Sequence, residues 1–134
     1  MNRGETILLV EDDPDLLELG FYMLERLGYQ VLATDNPREA LRLAEEHTSE
    51  IDLLVTDVVM PGMNGKELAQ QLLARHPQLK LLYMSGYTAD VIANHGVLDE
   101  GIHFLQKPFI SKELSTKIKE VLDEKNAPAQ LDGL

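Results

Sequence analysis

The stretch from residue 51 to residue 65, IDLLVTDVVMPGMNG, constrains the fold of this chain more than any other. Its apolar run Leu53–Val55 is short and rich in strand-forming residues, which is typical of a strand covered on both faces. The run ends at a carboxylate, Asp57, and the turn residues Pro61 and Gly62 follow. Asp57 is therefore predicted at the carboxyl end of a buried strand, where open α/β sheets bind ligands. Taken alone, such an aspartate is explained equally well as a turn residue that caps a loop amide.

Strand-like runs alternate with helical patterns along the whole chain. Strands are predicted at residues 5–11, 29–33, 52–57, 79–84 and 102–105. Helices are predicted at residues 14–27, 37–47, 64–76, 87–95 and from 111 onward, and Gly96 makes the fourth of them weak. This alternation requires parallel pairing and right-handed crossovers, which place helices on both faces of the sheet. The predicted fold class is a doubly wound, five-stranded parallel α/β sheet. Residues 1–125 form one domain in this interpretation, and residues 126–134 form a flexible tail.

Length and composition exclude several classes of protein. The 134 residues suit one domain with a substantial core. No apolar stretch approaches the roughly 20 residues of a membrane span, and residues 1–10 lack the pattern of a signal peptide, so we expect a cytoplasmic protein without membrane contact by this segment. The absence of cysteine excludes disulfides and thiolate sites. A net charge of −11 argues against direct nucleic-acid binding.

Polar side chains collect at the carboxyl ends of four of the predicted strands. These side chains are Glu11, Asp12, Asp13, Asp57, Ser85 and Lys107. Two unit charges about 4 Å apart interact by about 4 kcal/mol at an effective dielectric constant near 20, so a carboxylate cluster needs a cation. All-oxygen ligands suit Mg²⁺, and a lysine across the site suits phosphate as a point charge. The pattern therefore indicates a site for phosphoryl transfer, in which a carboxylate can itself be the acceptor.

Four motifs at these strand ends resemble the receiver domain of bacterial response regulators. They are VEDDP at 10–14, TDVVMPGMNG at 56–65, MSG at 84–86 and KPF at 107–109. Each motif alone is weak, but the order, spacing and strand-end placement of all four match over about residues 5–125. The resemblance implies a flavodoxin-like (βα)5 fold and a phosphorylation-activated switch of two-component signalling. Residues 82–88 and 95–101 look most like receivers attached to hybrid sensor histidine kinases.

The resemblance implies a role for each matching residue that would touch the phosphoryl group. Asp57 is implied as the phosphoacceptor, Lys107 as the partner of the phosphoryl oxygens, and Ser85 as a hydroxyl that bonds them. Phe104 is implied as the aromatic residue that moves with Ser85. The family often has tyrosine at that position, and phenylalanine has no hydroxyl to report the switch. The peptide bond between Lys107 and Pro108 is implied to be cis.

Mg²⁺ is the cofactor that the resemblance implies. Its ligands are implied to be Asp12 and Asp57 directly, Glu11 through water, and the backbone carbonyl of Val59. Asp13 lies just beyond this set, and its place before Pro14 indicates a helix cap. Val59 and Tyr87 each lie two residues past a site residue. We expect these two side chains to set the lifetime of the phosphate, because neither activates water well.

Alternative functions remain open from the sequence. The leading one is the signalling switch, with a sensor histidine kinase or a histidine phosphotransfer protein as partner and with no enzymatic activity beyond self-catalysed phosphotransfer and dephosphorylation. The parent chain is either this receiver alone or a hybrid histidine kinase. The second is an interaction module of the same fold that never takes phosphate. A haloacid-dehalogenase-like phosphatase is a weaker third, because such enzymes carry a second aspartate where this chain has Val59.

The signal is predicted to leave through one surface, which we call the output face. It comprises residues 87–101, the strand at 102–105 and the start of the last helix. Glycines at 96 and 101 weaken any helix in the first of these segments, so its local unfolding is expected to be easy. A phosphoryl group that draws Ser85 inward would open space for Phe104 and bias this segment.

Overall fold

A computed structural model describes residues 4–47, 51–86 and 103–123. Within these ranges one sheet contains the strands β1 Thr6–Val10, β2 Gln30–Thr34, β3 Leu53–Asp57, β4 Lys80–Ser85 and β5 Phe104–Gln106. The helices in the same ranges are α1 Pro14–Arg26, α2 Pro37–Glu46, α3 Gly65–Arg75 and α4 Ser111–Asp123. The helix predicted at 87–95 and the tail predicted at 126–134 lie outside the described residues.

The strands follow the spatial order β2-β1-β3-β4-β5, and every neighbouring pair is parallel. The predicted doubly wound α/β fold is confirmed. From β1 the chain crosses to β2 on one side, and β3 returns to the other side of β1. The loops after β1 and β3 therefore diverge, which opens a crevice at the carboxyl edge of the sheet.

Both faces of the two central strands are buried. All residues of β1 and β3 are buried, and alternate side chains enter two separate apolar clusters because side chains along a strand alternate between faces. Leu8 and Leu54 join the cluster beneath α2 and α3, whereas Leu9 and Val55 join the cluster beneath α1 and α4. This double burial explains why β3 has an apolar run rather than an alternating pattern. Among the described helices, none is long and apolar enough to cross a bilayer.

The N-terminus of α1 is fixed by the residue that the sequence indicates. The Asp13 carboxylate accepts from the backbone N–H groups of Asp15, at 2.9 Å, and Leu16, at 3.3 Å, which confirms Asp13 as the cap. Pro14 is the first helical residue, where its missing N–H is harmless. Asp13 therefore has a structural role as a helix cap, and Glu11 and Asp12 are the acids of this segment that remain as candidate site residues.

The N-termini of α2 and α3 are capped by asparagines. Asn64 and Glu67 form a capping box, with reciprocal hydrogen bonds of 2.8 Å and 2.9 Å. Asn36 caps α2 without a capping box, although Glu39 has the same position relative to its cap as Glu67 has in α3. The Glu39 carboxylate instead pairs with Arg42 on the next turn of the helix. Arg42 lies three residues after Glu39, a spacing at which oppositely charged side chains on a helix are neighbours.

The end of β5 and the exposure of two leucines of α1 differ from the sequence prediction. Strand β5 ends at Gln106, one residue beyond the predicted strand, because its ladder with β4 continues to the pair of Ser85 with Gln106. Gln106 is polar and exposed, so the apolar run ends before the strand does. In α1, the spacing of Leu16 and Leu19 with Met23 predicts that they lie on the packed face, but they are 40% and 50% exposed.

Candidate functional site

The carboxyl edge of the sheet brings three acidic side chains together. Asp57 is the last residue of β3 and Glu11 follows β1, and both are 2% exposed. Their proximity follows from the strand register, because Val10 pairs with Thr56 immediately before them. Carboxylate oxygens of Glu11, Asp12 and Asp57 all lie within 4.8 Å of one another. The Asp12 side chain is the exposed member of this group, which we call the acidic cluster.

Lys107 reaches the acidic cluster from the loop after β5. Its Nζ lies 2.7 Å from Asp57 Oδ1 and 2.9 Å from Glu11 Oε1, and the side chain is 19% exposed. The backbone N–H of Lys107 donates to the carbonyl of Ser85 at 2.7 Å, which anchors this loop to the end of β4. The cis peptide bond expected between Lys107 and Pro108 is confirmed.

Backbone amides bind the remaining oxygen of each buried acid. The N–H of Asp12 donates to Asp57 Oδ2 at 3.3 Å, and the N–H of Asp13 donates to Glu11 Oε2 at 3.0 Å. Each buried carboxylate thus has one oxygen on Lys107 and the other on a backbone N–H. These contacts fix the orientation of both acids without using the carboxylate of Asp12.

The charges of the acidic cluster are not balanced by Lys107 alone. Burial, followed by hydrogen bonding to Glu11, raises the pKa of Asp57 to about 8, although Lys107 acts to lower it. Burial also acts to lower the pKa of Lys107, but its hydrogen bonds to Asp57 and Glu11 raise that pKa overall. The three carboxylates face a single lysine, which contacts only Glu11 and Asp57, so the acidic cluster favours uptake of a proton or of a cation. Their hard oxygen donors fit a divalent cation such as Mg²⁺.

Ser85 and Phe104 occupy neighbouring strands near this edge. Ser85 ends β4 and is 4% exposed, and it lies one residue past Met84, which pairs with Asp57. Phe104 begins β5, lies beside Tyr83 in the sheet, and packs half-buried against the cluster beneath α2 and α3. The structure therefore brings Ser85 to the edge that holds Asp57. It places Phe104 two residues farther back along the sheet.

Comparison with known proteins identifies the family. The sequence model of the response regulator receiver domain matches residues 7–119. The chain belongs to the family of response regulator receiver domains. This family comprises phosphorylation-activated switches of two-component signalling, and its members interact with histidine kinases or phosphotransfer proteins. The family and the fold predicted from the sequence are both confirmed.

Relatives of this receiver domain occur in proteins of different length. It is 40% identical to Sensor kinase CckA of Brucella abortus (strain 2308) over 126 residues, which is 94% of this chain but 13% of that protein. It is 38% identical to the response regulator receiver protein CpdR of the same organism over 117 residues, which covers 87% of this chain and 95% of that protein. The crystal structure of the receiver domain from the hybrid histidine kinase CckA matches with a TM-score of 0.74 at 33% identity, covering 87% and 98% of the two chains.

Two of the predicted site residues, Val59 and Tyr87, have roles that the described residues do not test. Val59 lies in the loop between β3 and α3 and is 57% exposed. The N–H of Val58 donates to the carbonyl of Met84 at 3.0 Å, so the start of this loop is held to β4. Tyr87 lies outside the described residues. The roles expected of Val59 and Tyr87 therefore stay predictions.

Sequence reasoning missed two features around the acidic cluster. The first is the direct ion pair between Glu11 and Lys107, since Glu11 was assigned only to the cation. The second is an apolar cavity of about 440 Å³ between α1 and the loop before α4, lined by Leu16, Leu19, Met23, Phe109 and others, with Glu11 and Lys107 at one side. The signal for this cavity was the width of the apolar stripe on α1, which exceeds what the sheet covers.

Proposed function

We propose that Asp57 accepts a phosphoryl group from a phosphohistidine of a sensor histidine kinase or of a histidine phosphotransfer protein. In this step an Asp57 carboxylate oxygen forms a bond to phosphorus, and the bond from phosphorus to the imidazole nitrogen breaks. The electron pair of that bond stays with the imidazole nitrogen. The proposal rests on one observation above all: a nearly buried carboxylate at the open edge of the sheet lies 2.7 Å from Lys107 Nζ, within an acidic cluster.

Lys107 and Ser85 are proposed to receive the phosphoryl oxygens. Lys107 already lies against Asp57, so its charge needs little movement to follow the incoming group. Phosphoryl transfer depends mainly on positioning and charge neutralisation, which a fixed ammonium group supplies. The hydroxyl of Ser85, at the end of the adjacent strand, would donate to another oxygen. Glu11 shares Lys107 in the structure, which keeps the lysine in place before the donor arrives.

Mg²⁺ is proposed as the cation of the acidic cluster. Asp12 and Asp57 would bind it directly, Glu11 through water, and Val59 through its backbone carbonyl. The exposed carboxylate of Asp12 supports this assignment, because neither Lys107 nor a backbone amide occupies it in the contacts described above. When bound, Mg²⁺ would neutralise the charge of the phosphoryl oxygens. The chain's own residues supply the acceptor and the orientation of the two buried acids.

Phosphorylation is proposed to act on the output face through Ser85 and Phe104. Phe104 is half-buried beside Tyr83, so a change in the position of its ring would directly change the protein surface nearby. A phosphoryl group that draws Ser85 toward Asp57 would free space for this ring. We propose that the receiver domain comprises residues 1–125 and that residues 126–134 lie beyond it. The relatives include both a kinase and a receiver of similar length to this chain, so either parent is compatible.

The direct test is intact mass spectrometry after incubation with acetyl phosphate and Mg²⁺. We expect wild type to gain one phosphoryl mass and Asp57→Asn to gain none. Equal uptake by the two proteins would refute Asp57 as the acceptor. No uptake by wild type would favour the alternative function, an interaction module of the same fold. The structure does not support the phosphatase alternative, because that mechanism needs a second aspartate at the position of Val59, which has no carboxylate.

A further inference from the structure

We propose that Gly65 is a positioning residue for the acceptor: its lack of a side chain lets the first turn of α3 press against the main chain of Asp57. This inference rests on the proposed role of Asp57. A Cβ atom at residue 65 would lie 2.2 Å from the carbonyl oxygen of Asp57 and 3.1 Å from its carbonyl carbon. The first distance is far inside van der Waals contact. The start of α3 thus lies as close to the acceptor strand as two backbones allow.

Gly65 is needed for space and not for an unusual backbone conformation. Among the described residues, the glycines with positive φ are Gly4, Gly28 and Gly62, so Gly65 has a φ that any residue adopts. Gly65 is also the first residue of α3, where alanine normally has a higher helix propensity than glycine. Helix propensity alone therefore predicts that Gly65→Ala is tolerated. The contact with Asp57 predicts the opposite.

The clash cannot be relieved by rotating a side chain. The nearest atoms are main-chain atoms of Asp57, and the next is Cγ2 of Thr56 at 3.2 Å. Strand β3 is buried along its whole length and paired with β1 on one side and β4 on the other. The start of α3 is also held, because the N–H of Gly65 donates to the carbonyl of Val58 at 2.8 Å. An added methyl group must therefore displace either the end of β3 or the loop that leads into α3.

Either displacement changes the site itself. Movement of β3 shifts the Asp57 carboxylate away from Lys107 and from the backbone N–H of Asp12. Movement of the loop shifts Val59, which is proposed to supply a carbonyl to the cation. A misplacement of about 1 Å is enough to cost a reaction about a hundredfold in rate. Gly65 therefore sets the geometry of the acceptor although it touches neither phosphate nor cation.

The experiment compares Gly65→Ala with two matched glycine-to-alanine controls. At Gly4, which precedes β1 at the opposite edge of the sheet, an added Cβ meets nothing within 4 Å, so that variant changes only the backbone strain at its φ of +81°. At Gly20, in α1, the added Cβ meets only the flexible end of the Leu9 side chain, at 3.2 Å. For each folded variant the measurements are the Mg²⁺ dissociation constant by calorimetry and the phosphorylation rate at saturating acetyl phosphate. Circular dichroism at the assay temperature confirms that the protein is folded.

We expect Gly65→Ala to lose about tenfold or more in phosphorylation rate and to bind Mg²⁺ more weakly. The two controls should stay within about twofold of wild type in both measurements. A Gly65→Ala protein that is folded and matches the controls would overturn the inference. If wild type itself takes no phosphate, the proposed function fails instead, and the Mg²⁺ measurement alone decides the role of Gly65.

A second variant keeps the inference testable if Gly65→Ala does not fold. Asn64→Ala removes the side-chain half of the capping box and loosens the first turn of α3 without adding any atom near Asp57. We expect this folded variant to bind Mg²⁺ more weakly than the Gly20→Ala control. Unchanged Mg²⁺ affinity in Asn64→Ala would show that the position of the first turn of α3 does not determine the position of Asp57.

Discussion

Replacing Asp57 by asparagine should stabilise the cation-free protein at neutral pH. The substitution keeps the shape of the side chain and removes one charge from the acidic cluster, which Lys107 alone does not balance. A buried carboxylate that must ionise costs free energy unless its partners compensate. Here burial and Glu11 outweigh Lys107, since the pKa of Asp57 is raised to about 8.

The direction of the pH dependence follows from this raised pKa. In the unfolded chain an aspartate has a pKa of about 3.9, so between about pH 4 and pH 8 the folded state binds more protons than the unfolded state. The stability that protonated Asp57 contributes is fully present below about pH 4 and is lost as the pH rises through about 8. Between pH 5.5 and pH 7 the loss is at most about 2 kcal/mol, because one pKa unit is worth 1.36 kcal/mol.

The assay is urea unfolding followed by circular dichroism at pH 5.5, 6.2 and 7.0 with a chelator present. We expect wild type to lose up to about 2 kcal/mol of unfolding free energy relative to Asp57→Asn across this range. The variant Glu18→Gln removes one negative charge from an exposed position on α1 and serves as the matched control. Mg²⁺ at ten times its dissociation constant should then raise the stability of wild type by about 1.4 kcal/mol. The rise should be smaller for Asp57→Asn, which has lost a proposed ligand.

Parallel pH profiles for wild type and Asp57→Asn would refute the reasoning. They would mean that Lys107 and the backbone N–H of Asp12 compensate the buried charge in full. The need for a cation would then rest on the exposed carboxylate of Asp12 alone. A profile of opposite slope, with wild type gaining stability as the pH rises, would show that the ion pair with Lys107 dominates the acidic cluster.

Four further predictions concern the proposed site and the output face. Lys107→Ala should slow phosphorylation by acetyl phosphate about tenfold to a hundredfold, as measured by quantitative mass spectrometry. This effect is smaller than that of losing Asp57, because the substitution removes a charge and leaves the nucleophile. Asp12→Ala should weaken Mg²⁺ binding severalfold in titration calorimetry, and unchanged affinity would move the cation elsewhere. Tyr87→Ala should shorten the lifetime of the phosphate if this side chain shields it from water, and an unchanged dephosphorylation rate would rule out shielding. Hydrogen exchange with and without beryllofluoride should change most at the output face, whereas changes centred on α1 would place the output elsewhere.

The sequence was sufficient to predict the strand ends because their chemistry is unusual. Asp57 and Lys107 end or follow apolar strands that are covered by helices, and together with Glu11 and Asp12 they place several charged residues at one edge of the sheet. Proline and asparagine mark the helix starts equally well: Asp13, before Pro14, caps α1 as predicted, and Asn64 caps α3. These signals are local, so a single sequence contains them.

Features that depend on contacts between distant segments could not be predicted in the same way. The exposure of Leu16 and Leu19 depends on how α1 is rotated on the sheet, which the wide distribution of apolar residues on this helix leaves undetermined. The simultaneous contact of Lys107 with Glu11 and Asp57 depends on side-chain reach between the ends of different strands. The contact of Gly65 with Asp57 depends on the angle at which α3 leaves its loop, whereas Asn-Gly in sequence indicates only a turn or a cap.

The acceptor is held by more contacts than its charge alone would require. One oxygen of Asp57 is on Lys107, the other is on a backbone N–H, and the main chain behind it touches Gly65. A group fixed in this way loses little conformational entropy when it reacts, and it cannot move away from the like charge of Glu11. Because Asp57 is held in place, the repulsion between its carboxylate and that of Glu11 persists. A proton or a cation bound at Asp57 reduces this repulsion, and phosphoryl transfer to Asp57 alters it. The contacts that orient Asp57 therefore make the stability of the folded protein sensitive to a proton, a cation or a phosphoryl group at this carboxylate. A receiver domain can act as a switch because binding at one site changes the stability of one conformation relative to another.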